Sequence, residues 1–134
     1  MSKKLYVRIS IIIFCLSAFT KAQAQNLMNG KKIYETRCLV CHQADGGGVP
    51  HMNAPLDGST NVVGNNIARL VKIIKEGYNE RVALDGEMYS NAMTPNPDLK
   101  PADIADVLSY IRNSWSNKSS KITAAQVMQV SRKK

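Results

Sequence analysis

The sequence predicts an all-α fold, three to four helices wrapped around a group that is not itself protein. Three observations lead there. Apolar residues recur at i, i+3, i+4 and i+7 in several segments, with no run of strand-like alternation between them. A glycine- and proline-rich irregular stretch separates two of these segments and is too long for a compact domain unless it wraps something. The run Cys38-Leu39-Val40-Cys41-His42 places two thiols and an imidazole within a single short stretch of chain.

The 134 residues suit one domain. The formal charge of +8 is concentrated at the start, where Met1–Ala24 holds Lys3, Lys4, Arg8 and Lys21 and no acid; without them fourteen bases face ten acids. That balance, with no basic stripe interleaved with aromatics, excludes a nucleic-acid-binding class. Residues 1–24 read as a secretory signal peptide. A positive start is followed by an apolar run from Ile9 to Phe19, shorter than the roughly 20 residues of a membrane-spanning helix. Ala22-Gln23-Ala24 then supplies a small-x-small cleavage site, with the cut expected after Ala24. Lipidation at Cys15 is rejected because Phe14 stands where a small residue would be needed. The mature chain, 25–134, is expected in the periplasm with no transmembrane helix.

Cleavage leaves Cys38 and Cys41 as the only cysteines, removes both phenylalanines, and leaves Tyr34, Tyr78, Tyr89, Tyr110 and Trp115 as the aromatic residues. A domain so poor in large apolar side chains needs a disulfide, a metal or a cofactor to complete its interior. In an exported protein, C-x-x-C-H reads as a covalent attachment site for one haem c. Thiols three positions apart on a helical turn can each add to a haem vinyl group, and the adjacent His42 then presents its imidazole to the iron as proximal ligand. Three rivals are weaker. Zinc would need two further Cys or His ligands where only His51 remains. A thioredoxin-like pair would need a βαβ setting, and a plain structural disulfide is the third.

The first helix is expected from Leu27 to Val40 with Asn26 as its cap, and with Gly30 and Tyr34 as surface neighbours where another helix could approach closely. Asp45 to Val63 follows as the irregular stretch, holding Gly46, Gly47, Gly48, Gly58, Pro50 and Pro55. The second helix spans Asn66 to Glu76, with Ile67, Leu70, Val71 and Ile74 at helical spacing and Gly77 to stop it. Pro101 opens a third, to Trp115, on the stripe Ile104, Val107, Leu108, Ile111 and Trp115. Lys100 stands at its N-cap in place of the usual short polar residue, and Asp103 in the first turn partly offsets this through the helix dipole. Thr123 and Gln126 form a capping-box pair for a final helix to Arg132.

A proximal histidine leaves the opposite side of the iron to be filled. Met28, Met52, Met88, Met93, Met128 and His51 are the candidates. His51 and Met52 follow His42 too closely for a chain that covers about 3.5 Å per residue to round a haem. Met93 is preferred over Met88 because Thr94-Pro95-Asn96-Pro97 stiffens the backbone beside it. An open or histidine-ligated iron is the third arrangement.

Gly30-x-x-x-Tyr34, Cys38-x-x-Cys41-His42, Pro55-Leu56-x-Gly58, Met93-Thr94-Pro95 and Val107-x-x-Tyr110 follow one another in an order that resembles the small class I cytochromes c, up to about Trp115. The resemblance implies a cytochrome c-like fold whose first and third helices cross near Gly30 and Tyr110. It also implies that a proline carbonyl, Pro55 or alternatively Pro50, accepts a hydrogen bond from His42 and fixes the ring. Met93-Thr94-Pro95 departs from the commoner Met-Pro. The run Asp103 to Trp115 and the Thr-Ala-Ala-Gln tail look like bacterial cytochromes that serve a periplasmic dehydrogenase or a respiratory oxidase.

The function expected is one-electron transfer by a His42/Met93-ligated monohaem cytochrome, an electron carrier rather than an enzyme, working as a monomer or as a subunit of a complex. Lys31, Lys32, Lys72 and Lys75 could steer an acidic redox partner, and a solvated surface explains them equally well. The alternatives are an open-site haem protein, peroxidase-like or gas-binding, and a cytochrome subunit of a dehydrogenase.

Overall fold

A computed structural model describes residues 27–132 of the chain; the signal-peptide expectation for residues 1–24, and Asn26 as a helix cap, lie outside the described residues. Helix α1 covers 27–37 and, after a turn at Cys38, continues as the short α2, Leu39–His42. The irregular stretch then runs to α3, Thr60–Val63, and on to α4, Ile67–Glu76. A hairpin of β1, Val82–Leu84, and β2, Glu87–Tyr89, precedes α5, Pro101–Ile111, and α6, Ala124–Arg132.

Helix α4 begins where the Asn66 side chain accepts the Arg69 N–H at 3.0 Å, and it stops at Gly77, whose N–H reaches the Ile73 carbonyl. At the head of α5 the Asp103 carboxylate accepts the Lys100 N–H at 3.3 Å, half of a capping box, so the acid offsets the poor cap by a direct bond as well as by its charge. The Thr123–Gln126 pair closes both halves of its box at the head of α6.

The core lies where α5 packs against α1, α4 and α6. Tyr34, Val71, Ile74, Ile104, Val107, Leu108, Ile111, Ile122 and Val127 are buried there. At Gly30 the two backbones nearly touch: a β-carbon would sit 2.2 Å from the Asp106 carbonyl oxygen and 2.8 Å from the Tyr110 Cβ. Only glycine permits this crossing, which is the one the resemblance implies. Tyr34 stacks beside it with Tyr110 and Trp115, ring centroids 5.4 to 6.3 Å apart.

Two expectations are corrected. Helix α5 ends at Ile111, four residues short of Trp115. Trp115 has φ +54 and swings its ring back over Gly46, donating its indole N–H to the Ala44 carbonyl at 2.9 Å. The stretch 45–63 contains α3. The fold is mostly helical, as expected, with one small addition: Val82 to Tyr89 pair as a hairpin around Asp85-Gly86, both at positive φ, the turn that Asp-Gly favours. That dipeptide was the available signal; strands of three residues are too short for alternation to reveal. Asp85 also accepts hydrogen bonds from the Thr60 N–H and hydroxyl, tying the hairpin tip to the start of α3.

Candidate haem-binding site

Cys38, Cys41 and His42 are set by the junction of α1 and α2. The Cys38 N–H still bonds to the Tyr34 carbonyl at 2.9 Å, and the His42 N–H reaches the Cys38 carbonyl at 2.9 Å, so all three ride one continuous helical path. Both cysteines are free thiols. Burial, with a smaller push from Cys41, raises the Cys38 thiol to about 11, against a pull downward from Arg37. It is therefore a protonated thiol at neutral pH. Burial also lowers the His42 pKa, offset in part by the Ala54 carbonyl, and favours the neutral imidazole that a metal requires.

The His42 ring is oriented by its Nδ1, 2.9 Å from the Ala54 carbonyl oxygen. This corrects the expectation for Pro55 and for its alternative, Pro50. The acceptor is the residue before Pro55, because the bonds of Gly48, Val49 and Asn53 curl the loop so that the Ala54 carbonyl reaches the ring. With Nδ1–H donating to that carbonyl, Nε2 is the nitrogen left to ligate. The loop carrying Ala54 is anchored at both ends. The Gly48 N–H donates to the His42 carbonyl at 3.1 Å, and Val49 and Asn53 exchange two backbone bonds of 2.9 Å. Past Ala54, the buried Asn117 amide donates to the Leu56 carbonyl and accepts from the Gly58 N–H. The Tyr34 hydroxyl, kept neutral because burial above all raises its pKa, donates to the Gln43 carbonyl at 2.6 Å. Neither Asn117 nor Tyr34 was singled out for this role from the sequence.

Met93 and Met88 separate clearly. Met88 lies in β2 and is 49% exposed, whereas Met93 is half-buried and packs against the core. The Met93 backbone exchanges hydrogen bonds of 2.7 and 2.9 Å with Tyr78, and its carbonyl lies so close to Gly77 that a β-carbon there would meet it at 2.5 Å. His51 is exposed and faces Glu87 at 3.4 Å.

The residues fit a haem. Leu39, Leu56, Ile67, Leu70, Met93 and Leu99 pack on the core yet remain only partly covered, which leaves the edge of the apolar interior to be completed. Among the described residues no group of three or more His, Cys, Asp or Glu is placed to hold a bare metal ion. A helical domain with two free thiols beside an oriented imidazole, bordering an apolar edge, belongs to the haem proteins of covalent type.

The family model for cytochrome c matches residues 27–115. The chain is 38% identical over 107 residues to the cytochrome c subunit of a quinone alcohol dehydrogenase from Gluconacetobacter polyoxogenes, covering 73% of this chain and 21% of that protein. It is 30% identical over 92 residues to cytochrome c-552 of Thermus thermophilus, covering 66% of this chain and 70% of the relative. Cytochrome c-555 of Prosthecochloris aestuarii is 28% identical over 98 residues, 72% of this chain and 97% of its own. The chain belongs to the cytochrome c family, whose members carry covalently attached haem c. It spans about a fifth of the length of the dehydrogenase subunits it matches. Among the described residues no helix is long and apolar enough to cross a membrane.

Proposed function

We propose that the chain is a one-electron carrier in which Cys38 and Cys41 hold one haem covalently and His42 and Met93 ligate its iron. The observation that carries this reading is the His42 ring, held by the Ala54 carbonyl at Nδ1 immediately after two free thiols. When bound, the haem supplies reversible one-electron exchange at its iron. The chain's own residues set the terms of that exchange. His42 and Met93 would hold the iron, and a soft thioether there would favour the ferrous state and raise the reduction potential. Two ligands anchored in backbone hydrogen bonds leave no open position for oxygen chemistry and keep rearrangement small between oxidation states. The apolar edge of Leu56, Ile67, Leu70 and Leu99 excludes water and disfavours the more highly charged ferric centre.

Residues 1–24 act as the export signal, cleaved after Ala24, and the mature chain works in the periplasm. There it passes electrons between a dehydrogenase or respiratory complex and a terminal acceptor. The likeness to a quinone alcohol dehydrogenase subunit favours a dehydrogenase as partner. Lys32 and Lys72 are exposed and suit an acidic docking face, while Lys31 lies 3.8 Å from Glu35.

The test is the visible spectrum of protein matured in a host that attaches haem c. Low-spin spectra in both oxidation states, no shift of the reduced protein with carbon monoxide, and loss of the ferric methionine–iron charge-transfer band in Met93→Ala are expected. A high-spin spectrum that shifts with carbon monoxide would overturn Met93 ligation and favour the open-site alternative. Absence of covalent haem would end both.

A further inference from the structure

Two loops, one carrying the carbonyl that orients His42 and the other leading to Met93, are hydrogen-bonded to each other. One, residues 49–54, ends at the Ala54 carbonyl that holds His42. The other leaves β2 and reaches Met93. The Asn91 backbone N–H donates to the Met52 carbonyl at 3.0 Å, and its side-chain amide donates to the Asn53 side-chain oxygen at 3.0 Å. The Ser90 hydroxyl donates to the His51 carbonyl at 3.1 Å. Downstream, Met93 is anchored to the end of α4 through Tyr78, and the Asn96 N–H bonds to the Ile74 carbonyl at 2.8 Å. Upstream, the anchor is this strap to residues 51–53.

We propose that Asn91, through its amide bond to Asn53, is a positioning residue that holds Met93 on the iron by coupling the distal segment to the loop that orients His42. The inference rests on the His/Met reading above. A thioether is a weak ligand, so how often it leaves the iron depends on the freedom of the chain that carries it. An anchor two residues before Met93, on the neighbour of Ala54, restricts that freedom and keeps the Met93 segment in register with the loop that orients His42. Asn91 is exposed, so its replacement leaves the core intact.

The experiment titrates imidazole into the ferric holoprotein and follows the methionine–iron charge-transfer band, alongside urea unfolding. Asn91→Ala and Asn53→Ala are each expected to raise imidazole affinity roughly two- to tenfold, the range that loss of one hydrogen bond produces. The double variant should exceed neither single by a further factor, since both remove the same bond. Asn91→Asp should restore near-wild-type affinity, because Asn53 can turn its amide to donate to the carboxylate. Met93→Ala is the control. If it abolishes the band while Asn91→Ala leaves imidazole affinity unchanged, the proposal falls and His/Met ligation stands. A change in urea midpoint alone, with affinity constant, would make Asn91 merely structural and overturn the proposal. If Met93→Ala keeps the band, His/Met ligation itself fails, and the proposal with it.

Discussion

Gly30→Ala sets helix propensity against packing. In an exposed helix the change would stabilise by about 1 kcal/mol, because glycine is the poorer helix former. Here the added methyl would lie 2.2 Å from the Asp106 carbonyl oxygen, 2.7 Å from its carbon and 2.8 Å from the Tyr110 Cβ. None of these is the far end of a flexible side chain, so α1 and α5 must move apart. Overpacking of this kind costs about 1–3 kcal/mol, and more where backbone opposes backbone. Separation also weakens the 2.8 Å bond from the Asn29 amide to the Asp106 carboxylate, a charge-assisted contact worth about 1.5–3 kcal/mol. Set against the gain in propensity, the net loss is about 2–4 kcal/mol. With a urea m-value of about 2 kcal/mol/M, the unfolding midpoint of the holoprotein should fall by about 1–2 M. A midpoint that is unchanged or raised would show that α1 and α5 do not approach as described.

Arg112 is fully buried, with its guanidinium donating to the Val62, Gly64 and Ser120 carbonyls and the Ser119 hydroxyl, and burial lowers its pKa. Arg112→Ala should cost roughly 3–5 kcal/mol by stranding those acceptors, and Arg112→Lys should recover only part because an ammonium has fewer donors; a loss under about 1 kcal/mol in thermal unfolding would contradict this role. Trp115→Phe keeps an aromatic ring but deletes the indole bond to Ala44, so a loss of about 1 kcal/mol is expected by urea unfolding, and none would mean the bond is unimportant. The Ser116 hydroxyl, then the Ser116 and Gly58 N–H groups, hold the Asp57 carboxyl below its ordinary value of 3.8. A depressed carboxyl stabilises the fold above that value and loses the contribution as pH falls through its own folded pKa. Asp57→Asn should therefore unfold more easily than wild type at pH 7 and match it once the pH has fallen below the depressed folded value; a gap independent of pH would reject this linkage.

Much of the architecture is legible in the chain alone because it depends on local spacing. The attachment motif, the stripes of α4 and α5, the Thr123–Gln126 capping box, the stop at Gly77 and the start at Pro101 all follow from period, dihedral preference or hydrogen bonds within four residues. Gly30 could be identified as a crossing point because a bare backbone position matters only where something approaches. Haem as cofactor could be inferred because two thiols and an imidazole at that spacing have few other uses.

What escaped were choices made between distant segments. Which carbonyl meets His42 depends on how residues 48–54 curl back, so Ala54 rather than Pro55 is settled by a turn and a bridge, not by residue type. Trp115 continues the helical stripe in sequence but leaves the helix in space, because its ring fits over Gly46 and its indole N–H has the Ala44 carbonyl to satisfy. Arg112 looks like a surface base until the carbonyls of 62, 64 and 120 gather around it. The strap from Asn91 to Asn53 joins residues 38 apart with no pattern to connect them. The chemistry of the site was written in its side chains, while its aim was decided by which backbone oxygens the fold brought within reach of them.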